Sequence, residues 1–226
     1  MHCAFPPPSH EVPTIIWASL PDTPTTEEMC MNPLDMLRAD HESVLGMLEL
    51  LDAPPGDSAE SRAKRKELAT TLVMAESQHE AIEEELFWPA FRRLVDGGDA
   101  VADQAIDQEE AGKRLLQTIE DNEAGTAEFE EALTAFISAA REHIEYEEKT
   151  AWPALQQARH ADAEALEALG NSLRAAKSTA PTRPHPNAPS NAAAQGTVGM
   201  AAAAVDKIRD KVTGRDKQKP PQAPPT

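Results

Sequence analysis

One pattern occurs twice in the chain and constrains its fold more than any other feature. Residues 79–90 read HEAIEEELFWPA and residues 143–154 read HIEYEEKTAWPA, each a His, a Glu four residues on, a second Glu at five, then Trp-Pro-Ala. The copies start 64 residues apart. Side chains at i and i+4 of an α-helix share a face. Each copy therefore offers an imidazole and a carboxylate to one point, and two such helices facing each other can hold metal inside a bundle.

Proline marks the limits of the body. Residues 1–31 carry six prolines and no Lys or Arg, residues 178–226 carry eight prolines, and the 146 residues between hold five. The expected organisation is an N-terminal tail (1–31), a metal-binding bundle (32–177) and a Pro/Ala-rich C-terminal tail (178–226) with a short amphipathic helix. The central span is long enough to bury one core.

Asn32-Pro33 with Asp35 reads as a helix start: an Asn cap, Pro in the first turn and an acid beside it. The stripe Leu34, Leu37, His41, Val44/Leu45, Leu48, Leu51 follows in steps of three and four, and Pro54-Pro55-Gly56 closes it. A second helix from Ser58 to Gly97-Gly98 carries Leu68, Leu72, Ala75, His79, Glu83, Leu86, Ala90 and Leu94 inward, with a kink expected at Pro89. A third, over 100–122, has Ala102, Ala105/Ile106, Glu109, Gly112, Leu116 and Ile119 inward. The fourth, over 126–158, has Phe129, Leu133, Phe136, Ala140, His143, Glu147, Thr150 and Ala154, with a kink at Pro153. Short loops between four long helices predict an all-α, up-down-up-down antiparallel four-helix bundle. A short fifth helix over 161–177 and disordered tails complete the expectation. Within the C-terminal tail, 198–212 could place Val198, Ala202, Val205, Ile208 and Val212 on one face.

Each long stripe is interrupted near its middle by His, Glu or both. Burying such groups among leucines costs several kcal/mol each unless they are paired or bind a cation. The candidate ligands are His41, His79, Glu83, Glu109, His143 and Glu147. Imidazole with hard carboxylate oxygen suits Fe or Mn, and Zn less well. If Glu83 and Glu147 each bridge two ions, this set fills most of two octahedra and leaves room for an exogenous ligand. A structural zinc site would be closed and four-coordinate, which this surplus does not suit.

The inward His of the first helix and the doubled His-x-x-x-Glu-Glu with its trailing Trp-Pro resemble the hemerythrin-like family, the HHE cation-binding domains, over residues 32–177. The segments APTRPHP (180–186) and VDKIRDKVTGR (205–215) resemble the C-terminal extension of actinobacterial members. The resemblance implies two Fe ions in a non-haem di-iron centre with an oxo or hydroxo bridge, Mn suiting the same donors. It further implies His41, His79 and His143 as terminal ligands and Glu83 and Glu147 as bridges. The family usually places a His on the third helix, where this chain reads AIDQEEAGKRLL. Glu109 lies on the apolar stripe and is the expected substitute, while Glu110 sits about 100° away on its edge. Oxygen-carrying members are richer in His, so simple reversible oxygen carriage is not the expected role.

Glu84 and Glu148 read as outer acceptors for imidazole or as solvated positions, and Glu80 as an auxiliary carboxylate. Trp88 and Trp152 read as caps on the bundle end. His2, His10, His160 and His185 fall outside the stripes.

The net charge of −18 divides as −22 over residues 1–177 and +4 over 178–226. So acidic a body repels phosphate backbones, and nucleic acid is not an expected partner. Cys3 and Cys30 both lie in the N-terminal tail and supply neither a disulfide framework nor a thiolate cluster. No apolar run reaches the roughly 18 residues of a spanning helix, and no signal peptide is evident, so a cytoplasmic protein is expected and a membrane partner is not. The leading functional expectation is a di-iron protein binding or reacting with O2, NO or peroxide, in sensing or oxidative-stress defence, with peroxide disproportionation as the candidate activity. The alternative is a non-catalytic iron-binding or iron-responsive module. Oligomeric state is not set by these patterns.

Overall fold

The computed structural model describes residues 32–158, 160–186 and 192–217. The N-terminal tail, expected to be disordered, and residues 187–191 and 218–226 of the C-terminal tail lie outside them. The first helix, α1 (Pro33–Leu51), starts where Asn32 accepts the Leu34 N–H at 3.0 Å, with Pro33 in the first turn. Next, α2 (Ala59–Ile82) is capped by Ser58, which accepts the Ser61 N–H at 3.0 Å. It passes through a π-helical turn, Glu83–Phe87, into α3 (Trp88–Leu94). Gly97, at φ 75°, takes the left-handed turn residue after it, a conformation that costs glycine little.

The chain returns through α4 (Asp99–Asp121), and Thr126 caps α5 (Ala127–Tyr146) by accepting the Phe129 N–H at 3.3 Å. A second π turn, Glu147–Ala151, leads into α6 (Trp152–Gln156). The long helices make an all-α bundle in which α1 packs on α2 and α5, and α4 packs on α2 and α5. The fifth helix, α7 (Ala163–Lys177), lies against α1 and α2. Among the described residues no helix is long and apolar enough to cross a membrane.

The core is two apolar clusters with a polar layer between them. One holds Leu48, Leu72, Leu116, Phe129 and Phe136; the other holds Leu34, Leu37, Phe87, Phe91, Trp152 and Leu173. Along α1, Leu37 belongs to one cluster and Val44 to the other, and His41 stands between them.

Instead of a simple kink at each proline, the helix widens just before it. Pro89 and Pro153 have no N–H to give, and their rings would crowd the carbonyl four residues back. The preceding turn opens so that the Trp88 N–H reaches the Glu83 carbonyl and the Trp152 N–H reaches that of Glu147, five residues back in each case. The extra residue rotates the following register. Fully buried Phe87 and Phe91 take the inward role expected of Leu86, which is only half-buried, and Ala151 is buried where Thr150 was expected and is exposed.

The C-terminal segment also differs from the sequence expectation. It forms α8 (Ala192–Thr213), 22 residues long, and its inner face is not the apolar one. Ala203, Asp206 and Asp210 are buried, whereas Val205, Ile208 and Val212 are exposed. The reason is a set of buried ion pairs. Arg183 donates to Asp210 at 2.8 Å and to Glu120 of α4; Arg215 also donates to Glu120, and at 2.8 Å to the Thr182 carbonyl. Asp206 accepts the Thr182 N–H at 3.2 Å and stands 3.0 Å from His185 Nε2. The TRPH segment is thus tied to α8 and to the bundle by paired charges rather than by aliphatic packing.

Candidate metal centre

All six residues expected as ligands meet in the polar layer. Donor atoms of His41, His79, Glu83 and Glu147 lie within 4.8 Å of one another, and so do those of Glu83, Glu109, His143 and Glu147. The two groups share Glu83 and Glu147, the first residues of the two π turns. In the first group His41 Nε2 lies 3.0 Å from Glu147 and His79 Nε2 lies 3.2 Å from Glu83; in the second, His143 Nε2 lies 3.6 Å from Glu147.

Each imidazole is held from behind through Nδ1. His41 Nδ1 is 3.1 Å from Glu148, His79 Nδ1 is 3.4 Å from Asp40, and His143 Nδ1 is 3.1 Å from Gln108. An acceptor on Nδ1 fixes the tautomer that leaves the Nε2 lone pair facing inward. Glu148 was legible as such an acceptor; Asp40 and Gln108 were not. Both immediately precede a candidate ligand, but each serves the imidazole of another helix, a relation that periodicity within one helix does not reveal.

Glu84 departs from the paired reading. It is buried rather than solvated, and it forms an ion pair with Lys113 of α4. Glu80 is buried as well, close enough that a Cβ at Gly112 would lie 3.3 Å from its Oε1. Glu109 is 1 % exposed while Glu110 is half-buried, which puts Glu109 on the inner face as the stripe required.

The tryptophans are not end caps. Both are fully buried against the centre: Trp88 donates its indole N–H to Glu109 Oε1, and Trp152 stacks on His41 with ring centroids 4.9 Å apart and planes 10° from parallel.

What the inner atoms lack is decisive for the fit of a cation. His41 Nε2, His79 Nε2, His143 Nε2, both oxygens of Glu83, both of Glu147 and Glu109 Oε2 are buried without a hydrogen-bond partner. Unpaired buried donors and acceptors are rare and costly, and these converge on one small volume. Three imidazole nitrogens and carboxylate oxygens are a donor set that suits a metal ion. Burial raises the Glu83 carboxyl well above its ordinary range, with Glu147 and Glu109 adding to the effect, and burial likewise raises Glu109. Burial opposes charge on Glu147 too, but the imidazoles of His143 and His41 hold it down at about 2. Burial also lowers His79 and His143, favouring the neutral imidazole that ligates metal.

Beside His143 and Glu109 lies a cavity lined by Gly112, Phe136, Ala139 and Ala140, with Glu76 and Glu80 on its α2 wall. It leaves about 20 Å³ for the centres of water-sized particles, room for a water or a diatomic molecule.

The fold and this donor set define a helical-bundle metal-binding domain. The chain belongs to the hemerythrin family: the model of the hemerythrin HHE cation binding domain matches residues 32–155. It is similar to an uncharacterized hemerythrin-like protein of Schizosaccharomyces pombe, 27 % identical over 135 residues, which cover 59 % of this chain and 66 % of the relative. No solved structure matches. The family match ends before α7 and α8, so Arg183 and Arg215, which tie the C-terminal segment to Glu120, lie beyond it.

Proposed function

We propose that the bundle holds two non-haem iron ions and binds or reacts with a small oxidant or diatomic ligand: O2, NO or peroxide. The observation that carries this reading is the pair of overlapping donor groups sharing Glu83 and Glu147. One ion would take His41 and His79, the other His143 and Glu109, with Glu83 and Glu147 bridging. When bound in the diferrous state, such a pair would supply two electrons to an incoming oxidant, one from each iron.

The chain's own residues set the conditions. Asp40, Gln108 and Glu148 orient the imidazoles, and Trp88 holds Glu109 by one oxygen and leaves the other inward. Phe136, Ala139 and Ala140 make the cavity narrow and largely apolar on the α5 side, which suits a small ligand. Glu109 in place of an imidazole adds a negative charge, which favours the oxidised ions and supports sensing or oxidative-stress defence over reversible carriage. A reducing cytoplasm fits a chain whose two cysteines, at positions 3 and 30, both precede the bundle in the sequence.

A second reading, an iron-responsive module, is favoured by the buried carboxylates themselves. Glu76, Glu80, Glu83 and Glu109 all sit in a layer where burial opposes their charge, so a bound cation stabilises the fold directly. The absorption spectrum of iron-loaded protein, recorded before and after reduction and then on exposure to O2, NO or peroxide, tests the proposal. Charge-transfer bands that bleach on reduction and return with oxidant, with catalytic loss of peroxide, support the reactive role. Bands that return without turnover support the responsive module, and a colourless iron-treated protein contradicts both.

A further inference from the structure

Among the described residues, the well-exposed large apolar side chains fall on two helices only: Leu45 and Leu50 on α1, and Val205, Ile208 and Val212 on α8. Val205, Ile208 and Val212 follow one another at three- and four-residue steps and form a ridge. It is flanked by exposed Lys207, Arg209 and Lys211. The α1 surface has the opposite sign: exposed Glu42 and Glu49 lie between Leu45 and Leu50 around the helix, with exposed Gly46 in the same strip. A methyl group added at Gly46 would meet nothing within 4 Å, so the strip has an open notch between its two leucines.

Among the described residues, neither strip is covered by another part of its own chain. The opposite face of α8 is anchored by Asp206 and Asp210 to the TRPH segment and through Arg183 and Arg215 to Glu120, so the Val205–Ile208–Val212 ridge faces away from its bundle. On α1 the inner face is already taken by Val44, Met47, Leu48 and Leu51.

We propose that these strips are the two halves of a contact between copies of this chain, with the basic, apolar α8 ridge of one copy seated on the acidic, notched α1 strip of another. Their charges are complementary, and the three aliphatic side chains of the ridge would meet the two leucines and the open notch of the strip. A lipid surface would leave the α1 strip uncovered and would bring an acidic chain, −22 over residues 1–177, against anionic headgroups. With so few apolar residues a side, the association is weak and salt-sensitive. This inference does not depend on the metal reading.

Sedimentation velocity of the full chain, from about 1 µM to about 1 mM at low and high salt, tests it. The expected result is a concentration-dependent dimer that weakens as salt rises. The double variant Lys207→Glu/Lys211→Glu and the double variant Glu42→Lys/Glu49→Lys should each raise the dimer dissociation constant at least about tenfold. Mixed in equal amounts they should pair again, because each then meets a partner of opposite charge at both contacts. Circular dichroism melts identical to the parent's show that these surface changes leave the fold intact, and Ile208→Glu should also give a monomer. A monomer at every concentration, a dimer indifferent to both charge reversals, or a mixture that does not pair overturns the proposal. Monomeric protein that instead binds phosphatidylserine vesicles through Lys207 and Lys211 overturns it in favour of a membrane role.

Discussion

The indole N–H of Trp88 donates to Oε1 of Glu109, joining α3 to α4 and leaving Glu109 Oε2 free toward the centre. The bond exists because the π turn at Glu83–Phe87 rotates α3 inward, so a residue that follows the ligand motif by one turn steadies a ligand on another helix. Trp88→Phe keeps the ring packing and removes the donor. It is expected to weaken metal affinity by about 10- to 100-fold, the usual effect of losing an outer partner, as read by competition with a chelator. Unchanged affinity would mean that Glu109 needs no such support.

Periodicity on α4 separates two neighbouring carboxylates. Glu109→Ala should lower iron occupancy while Glu110→Ala should not, as measured by metal analysis of purified protein. Glu109→His should retain both ions, since imidazole suits the same metal, and should raise the reduction potential because a negative charge leaves the centre.

Most of this centre was legible in the sequence, because buried His and Glu at helical spacing violate the apolar pattern and declare themselves. His41, His79, Glu83, Glu109, His143 and Glu147 all fell on stripes, and the structure brings them together. Three things were not legible. The π turns depend on how the chain relieves a proline, and the rule that proline kinks a helix does not say where the extra residue goes. Asp40 and Gln108 act across helices. The docking of α8 was not legible either: its aliphatic residues share a face by spacing alone, but spacing does not show that paired charges between Arg183, Asp210, Arg215 and Glu120 hold the helix by its polar side.

A chain of contacts carries α7 to the centre. Lys177 pairs with Asp40 Oδ1, and Asp40 Oδ2 faces His79 Nδ1 at 3.4 Å. Asp40→Ala should loosen His79 and weaken metal binding by about 10- to 100-fold. Lys177→Met should have a smaller effect of the same kind, and truncation before α7 should match Lys177→Met or exceed it. Metal affinity indifferent to Asp40→Ala would remove Asp40 from this role.

Glu76 predicts a pH effect in metal-free protein. Burial, reinforced by Glu147 and Asp40, raises its carboxyl from the ordinary 4.5 to about 7. Between those values the unfolded chain has released the proton and the folded one keeps it, so this group's contribution to stability is full below about 4.5 and is lost as pH rises through about 7. Glu76→Gln cannot ionise. It should match the parent near pH 4.5 and exceed it in thermal stability at pH 8, by an amount on the order of 1–3 kcal/mol. A constant difference across this range would show that Glu76 does not titrate there.

The central claim is that two donor groups sharing Glu83 and Glu147 hold two ions, and anaerobic titration of metal-free protein with ferrous iron tests it most directly. The expected end point is two equivalents per chain, falling to one or none in Glu83→Ala and Glu147→Ala because each serves both positions. An end point of one equivalent in the parent, or two that persist when Glu83 and Glu147 are both replaced, would contradict it.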